Sequence, residues 1–245
     1  MPEADRILLV EDDRDLSDIA NIHLTNAGYT ADAAYSLADA LRLFEERSYD
    51  LVLLDIMLPD GKGSEFCQTI RAQSGCPIIF ISCIDDGDSI VSALHSGGDD
   101  YMTKPVNWKE LLARVEANIR RATVYADGES PASDANLLRF GSFSVDRRRR
   151  RVRRGDETID LTPIEYAILE YFCANSGELI LYNDLYRSIW GVDGFDDLRT
   201  LAVHVSNLRK KIDPDHIGLI ETVRNAGYIF CDVRAPERNR SAGAC

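Results

Sequence analysis

Three short runs, residues 7–10, 51–54 and 78–81, are apolar at every position, and they constrain this chain more than any other feature. Each has strand length. A strand that is apolar throughout, not at alternate positions, must be covered on both faces, which is the condition of a parallel sheet between helices. The intervening segments supply those helices. Leu16, Ile19, Ala20, His23 and Leu24 recur at helical spacing, with Gly28 as a stop. Ser36 is placed to cap a second helix carrying Leu37, Ala40, Leu41 and Phe44 on one face. Residues 29–33 read as a weaker strand, residues 101–103 as a short fifth strand and residues 107–121 as a closing helix. The expected fold of this half is α/β, a doubly wound five-stranded parallel sheet.

The 245 residues leave room for a second domain. The predicted division is a first domain over 1–121, a small polar linker over 122–137, a second domain over 138–234 and a tail over 235–245. The second domain alternates apolar positions at Leu138, Phe140, Phe143 and Val145, continuing to Val152 and Ile159, and so opens with short strands. Thr162 at N-cap and Pro163 at N1 start a helix over 163–174. Two more helices are expected at 183–190 and 198–212. A hairpin over 218–223 and 228–233, turning at Asn225-Ala226-Gly227, closes the chain. This is an α+β pattern of short strands, three helices and a closing hairpin.

The net charge of −13 is unevenly spread: residues 1–121 carry −11, and residues 122–245 only −2. The second half can therefore present a basic face to an anionic partner. No apolar run approaches membrane-spanning length, and the polar, acidic-leaning N-terminus is unlike a secretory signal. A cytoplasmic protein is expected, with no membrane partner. Cys67, Cys76, Cys83, Cys173, Cys231 and Cys245 include no Cys-x-x-Cys pair, so free thiols are expected, with Cys245 exposed and Cys83 a buried inert thiol.

In open parallel sheets the chemistry sits at the carboxyl ends of the strands. Here those ends carry Glu11-Asp12-Asp13, Asp55, Ser82 and Lys104-Pro105. A pocket rich in hard oxygen donors suits Mg²⁺, which screens an approaching phosphoryl group from the carboxylates. Lys104 is suited to pair with a phosphoryl oxygen and Ser82 to donate a hydrogen bond to another. The reaction that fits is phosphorylation of Asp55 itself. Asp13 reads equally well as a helix-entry residue.

Residues 8–13, Leu53-Leu54-Asp55-Ile56-Met57-Leu58-Pro59-Asp60-Gly61, Ile81-Ser82 and residues 99–105 together resemble a two-component receiver domain, a CheY-like fold. The resemblance implies Asp55 as phospho-acceptor and Mg²⁺ held by Asp12, Asp55 and the Met57 carbonyl, with Glu11 acting through water. It further implies Ser82 and Tyr101 as a switch pair and a cis bond before Pro105.

The stretch 199–211 has two faces. Leu201, Val205, Leu208 and Ile212 suit a core, while Arg199, Thr200, Val203, His204, Asn207 and Lys210 fall toward the other side, mixing cations with groups able to read base edges. With residues 161–166, Trp190-Gly191 and residues 222–230, this stretch resembles the winged-helix output domain of OmpR/PhoB-class response regulators. The resemblance implies DNA contact from Arg199, Thr200, Val203, His204, Asn207, Arg209 and Lys210, with Arg224 on the wing entering a minor groove. The run of arginines at 147–151 is as suited to the acidic first domain as to DNA.

The resemblance thus implies a transcription factor and not a turnover enzyme. Its partners would be a sensor histidine kinase, double-stranded promoter DNA and a second copy of itself, with RNA polymerase a further contact. Asp99, Asp100, Lys109, Glu110 and Arg114 would build the dimer face. Ile90 and Ser92 stand where a basic partner is common, which keeps open an atypical regulator that binds DNA without phosphorylation. A haloacid-dehalogenase-type phosphatase would need Asp where Met57 stands. A dinucleotide-binding enzyme would need glycines where Glu11-Asp12-Asp13 stands.

Overall fold

The computed structural model describes residues 4–126, 137–140, 143–192 and 198–231. Its first half runs β1 (Arg6–Val10), α1 (Arg14–Asn26), β2 (Thr30–Ala34), α2 (Leu37–Glu46) and β3 (Leu51–Leu54). A two-residue ladder follows, β4 (Met57–Leu58) with β5 (Gly61–Lys62), then α3 (Gly63–Arg71), β6 (Ile78–Ser82), α4 (Gly87–His95), β7 (Asp100–Thr103) and α5 (Trp108–Ala126). The five parallel strands lie in the order β2-β1-β3-β6-β7. The apolar runs stand side by side in register, with Leu9 opposite Leu53 and Leu53 opposite Ile79.

Because side chains alternate along a strand, each run feeds two cores. Leu8, Val52, Leu54, Ile78 and Phe80 pack with Ala40 of α2, Phe66 and Ile70 of α3, and Ile90 and Leu94 of α4. Ile7, Leu9, Leu53 and Ile79 pack with Leu24 of α1 and with Leu111, Val115 and Ile119 of α5. The local signals act as expected. Gly28 takes φ 95° after α1, and the Ser36 side chain accepts a hydrogen bond from the amide of Asp39. The closing helix continues to Ala126, five residues past the boundary placed at 121.

The second half opens with an antiparallel sheet of β8 (Leu137–Arg139), β9 (Ser144–Asp146), β10 (Arg151–Arg154) and β11 (Glu157–Ile159). Then come α6 (Pro163–Ala174), β12 (Leu179–Leu181), α7 (Tyr182–Trp190), α8 (Arg199–Ile212), β13 (Ile220–Val223) and β14 (Gly227–Phe230). Thr162 and Glu165 form a reciprocal capping box at the start of α6. β12, which periodicity does not reveal, joins the hairpin as a third strand in the order β12-β14-β13. Its three residues gain their order from pairing across β14. Asn225 turns the hairpin at φ 59°. A Cβ on Gly227 would lie 1.8 Å from the carbonyl oxygen of Ile180, so only glycine lets β12 and β14 approach. The core here gathers Phe172, Leu185, Trp190, Leu201, Val205, Leu208, Ile212 and Phe230.

The two halves are packed together. α8 lies along α4, and α5 lies against α6 and α7. No helix among the described residues is long and apolar enough to cross a membrane.

Candidate functional site

The first site forms where β1, β3, β6 and β7 end. β1 delivers Glu11 and Asp12, and β3 delivers Asp55. One carboxylate oxygen from each lies within 4.8 Å of the others. Glu11 and Asp55 are buried, while Asp12 is exposed and faces solvent access. Lys104, just beyond β7, reaches into the pocket. Its Nζ donates to Asp55 Oδ2 at 2.5 Å and to Glu11 Oε1 at 2.9 Å. Burial works against the Lys104 ammonium, but its hydrogen bonds to Asp55 and Glu11 outweigh that and raise its pKa. Burial raises the Glu11 pKa, against the pull of the same lysine. The Lys104–Pro105 bond is cis.

Backbone geometry fixes Asp55. The amide of Met57 donates to Asp55 Oδ1 at 3.0 Å, and the Met57 side chain stands out in solvent. A Cβ on Gly63 would lie 2.1 Å from the Asp55 carbonyl oxygen, so α3 starts against the end of β3 only because position 63 is glycine. Asp60 accepts from the amides of Leu37 and Ala38, tying this loop to the start of α2. Neither Gly63 nor Asp60 carries a role in the sequence reading, although Asp60 lies in the motif around Asp55 and Gly63 two residues beyond it. Asp13 accepts from the amides of Asp15 and Leu16 and is the cap of α1. Three hard carboxylate donors converging beside a lysine form a pocket whose chemistry suits a small divalent cation.

Ser82 is buried at the end of β6, and its Oγ accepts from the amide of Ile84 at 3.4 Å. The Tyr101 hydroxyl donates to the carbonyl of Ile84 at 2.6 Å. Burial pushes the Tyr101 phenol up to about 12, against the opposing influence of the Ser82 side chain. Ser82 and Tyr101, the expected switch pair, therefore both hold Ile84 of the loop 83–86, one at its amide and the other at its carbonyl. Cys83 in this loop is exposed, contrary to the buried thiol expected, because it points away from the sheet as the chain leaves β6. Cys67 and Cys76 are buried, and Cys245 lies outside the described residues.

The second site is α8, and its placement departs from expectation. Leu201, Val205, Leu208 and Ile212 face the domain core as foreseen. Thr200, Val203 and His204, expected on an open face, are buried. Val203 belongs to the apolar cluster of the first domain, alongside Ile90, Leu94 and Tyr101. His204 Nε2 is 3.0 Å from the carbonyl oxygen of Asp99. Half-buried Arg199 donates to the carbonyl of Asp85 at 3.3 Å. Asn207 is half-buried, while Lys210 and Arg224 are exposed. Arg209 turns inward, donating to the carbonyl of Ile220 and to Thr222 Oγ1, and so braces the wing.

The residues expected on a dimer face are also engaged within the chain. Arg114 grips the fully buried Asp100 through Nη1 at 2.8 Å, bonds Glu110, and lies 3.1 Å from the Tyr186 hydroxyl of α7. Asp99 is paired with Arg71. Lys109 is exposed. Ile90, considered as a surface position, is a core residue of α4 with no exposure, whereas Ser92 is exposed. Arg147 and Arg150 both lie near Glu170 of their own domain, and Arg150 stacks over the Tyr166 ring. Where Arg150 approaches the first domain it shares a crevice with Arg120 and Arg121 of α5, and the acid lining that crevice is Glu170 of its own domain. The Tyr186 contact was invisible in the sequence, since nothing local marks a tyrosine as reaching another domain.

Residues 7–116 match the response regulator receiver domain family, and residues 156–230 match the transcriptional regulatory protein C-terminal family. The chain is a response regulator of the OmpR/PhoB family. This regulator is 38% identical to the uncharacterized transcriptional regulatory protein YcbL of Bacillus subtilis, over 90% of this chain and 98% of that one. It is 37% identical to the sensory transduction protein RegX3 of Mycolicibacterium smegmatis, over 91% and 97%. Among solved structures, a cysteine-to-serine mutant of RitR superposes with a TM-score of 0.68 at 26% identity, over 93% of this chain and 99% of that one. DrrB, an OmpR/PhoB homologue from Thermotoga maritima, superposes with a TM-score of 0.50 at 27% identity, over 94% and 100%. The regulator thus joins a receiver to a DNA-binding domain.

Proposed function

We propose that Asp55 accepts a phosphoryl group from a sensor histidine kinase and that this signal frees α8 to bind double-stranded promoter DNA in the cytoplasm. The observation that carries the reading is Asp55 held by Lys104 at 2.5 Å within a set of converging carboxylates. In the transfer, an Asp55 carboxylate oxygen forms a bond to phosphorus as the bond from phosphorus to the kinase imidazole breaks. Lys104 then pairs with a phosphoryl oxygen, and Ser82 donates to another. Asp12, Asp55 and the Met57 carbonyl would hold Mg²⁺, with Glu11 acting through water. The bound ion supplies charge screening and orientation for the incoming group.

The phosphoryl group adds about −1.5 to −2 charge at the pocket. As Ser82 turns toward it, the Ile84 amide loses its acceptor and loop 83–86 is released. That loop holds Tyr101 through the Ile84 carbonyl and Arg199 through the Asp85 carbonyl. The signal therefore has a covalent and hydrogen-bonded route of a few residues from Asp55 to α8. Once α8 leaves, Arg199, Thr200, Val203, His204, Asn207 and Lys210 face DNA with Arg224 on the wing, and Arg209 supports the wing beside them. The vacated surface of α4, β7 and α5, with Asp99, Asp100, Lys109, Glu110 and Arg114, then pairs with a second copy. Two linked output domains bind repeated half-sites at raised effective concentration.

The test uses the full chain with Mg²⁺. Acetyl phosphate should label the natural protein and leave Asp55→Asn unlabelled. Beryllofluoride should double the mass by light scattering and raise affinity for promoter DNA. Labelling that persists in Asp55→Asn, or DNA affinity indifferent to beryllofluoride, would overturn the reading.

A further inference from the structure

His204 sits at the centre of the contact that covers α8. It is 3% exposed. A carbonyl oxygen only accepts, so the contact with Asp99 requires the His204 ring to carry its proton on Nε2. Its ring is 6.0 Å from that of Trp190, the largest fully buried side chain of the output domain. The side chain thus bridges receiver and output domain as a donor.

The charged groups around it offer a second proton little support. Glu165 of α6 is the carboxylate that favours a positive ring, but that group is paired with Lys211 at 2.7 Å and closes the capping box. The Asp99 carboxylate of β7 is paired with Arg71 of α3. Arg121 of α5 and Arg71 both oppose a positive ring. His95 of α4 and Lys210 and Lys211 of α8 line the crevice beside it. Cations therefore outnumber carboxylates around the ring, and each carboxylate already has a basic partner. Burial accordingly holds the His204 pKa down to about 4.

We propose that His204 is an acid-sensitive latch: the closed chain requires its neutral ring, and protonation releases the recognition helix from the receiver alongside phosphorylation. The direction follows from the two states. In the open chain the ring is exposed and titrates near its usual value of about 6.5. Above that value both states are neutral and the latch holds at full strength. As pH falls below it, the open state takes up a proton that the closed state refuses until about 4. Between about pH 7.5 and about pH 5.5 the ratio of open to closed chain should rise roughly tenfold. Apparent DNA affinity scales with the open fraction, so it should rise by the same factor while that fraction is small.

The latch itself stands on the contact between α8 and the receiver, and only its consequence for DNA rests on the function proposed above. Two measurements separate them. The first is affinity of the unphosphorylated full chain for a mixed-sequence DNA duplex at the two pH values and fixed ionic strength. His204→Gln retains a donor for the Asp99 carbonyl and cannot titrate. On acidification the natural protein should gain at least roughly tenfold more affinity than this variant, because the released His204 ring adds its own charge to the DNA-facing surface. The ring titration isolates the latch from that added charge. Equal gains would overturn the latch. The second is NMR titration of the His204 ring in the full chain, assigned by its loss in His204→Gln. A midpoint well below 6 that moves toward 6.5 on adding beryllofluoride supports the latch. A midpoint near 6.5 before beryllofluoride is added overturns it, whether or not the duplex binds.

Discussion

At the Asp55 pocket every functional group leaves the backbone at the end of a strand, and the sheet register alone brings the groups together. On α8 the functional groups share one helix, yet what surrounds them is decided by a domain about a hundred residues away in the chain. Asp99, for example, contacts His204 across 105 positions. The difference is one of degrees of freedom. A parallel sheet has few ways to align four strand ends, so the pocket is rigidly specified. Two domains on a linker have many relative positions, and a modest set of contacts selects one of them. A switch needs this inequality: a stiff pocket to receive the signal and a cheaply broken contact to transmit it.

The comparison can be broken most forcefully at Arg114→Ala. This change strands the fully buried Asp100 carboxylate and removes the bond to Tyr186. The expected loss is about 3–5 kcal/mol in urea unfolding, with α8 uncovered in the surviving folded fraction and the pocket chemistry intact. Gly63→Ala attacks the other region. Its Cβ would meet the Asp55 carbonyl at 2.1 Å, at a cost of about 1–3 kcal/mol. Acetyl phosphate labelling should fall by about tenfold or more as the acceptor shifts, while α8 remains covered by hydrogen exchange. Thr162→Ala removes one partner of the capping box on α6 and should cost about 1 kcal/mol, read as a lower melting temperature of the output domain. Arg42→Ala on the exposed face of α2 breaks a pair with Glu46 in which both side chains are at least half exposed. It should change stability by less than about 0.5 kcal/mol, and neither labelling nor DNA affinity should respond.

The pocket was legible because its information is local. Leu51–Leu54 must be a covered strand, and a covered strand must end at Asp55. The same logic gives Glu11, Ser82 and Lys104. The Ser36 and Thr162 caps and the Gly28 stop were readable because a helix terminus is satisfied by residues within a turn of it. β12 was not readable, since three residues have no measurable period and their pairing partner lies some fifty positions on. Ile90 was misplaced because a position on a helix says which residues share a face, not which face is turned inward. Cys83 was misplaced because the chain bends as it leaves β6.

By itself the sequence determined the five-stranded parallel sheet, the winged-helix domain, the set of groups around Asp55 and the two-faced pattern of α8 that the proposed DNA contact draws on. Strand burial, helix capping and periodicity act within a few residues, and those residues are written next to one another. The tertiary structure alone decided that Val203 and His204 lie under the receiver, that Arg199 holds loop 83–86 and that Arg114 answers to Tyr186. These contacts join residues whose proximity no local rule encodes. They exist because one arrangement of two domains buries Val203, satisfies the Asp99 carbonyl and brings the Tyr186 hydroxyl to Arg114 at once.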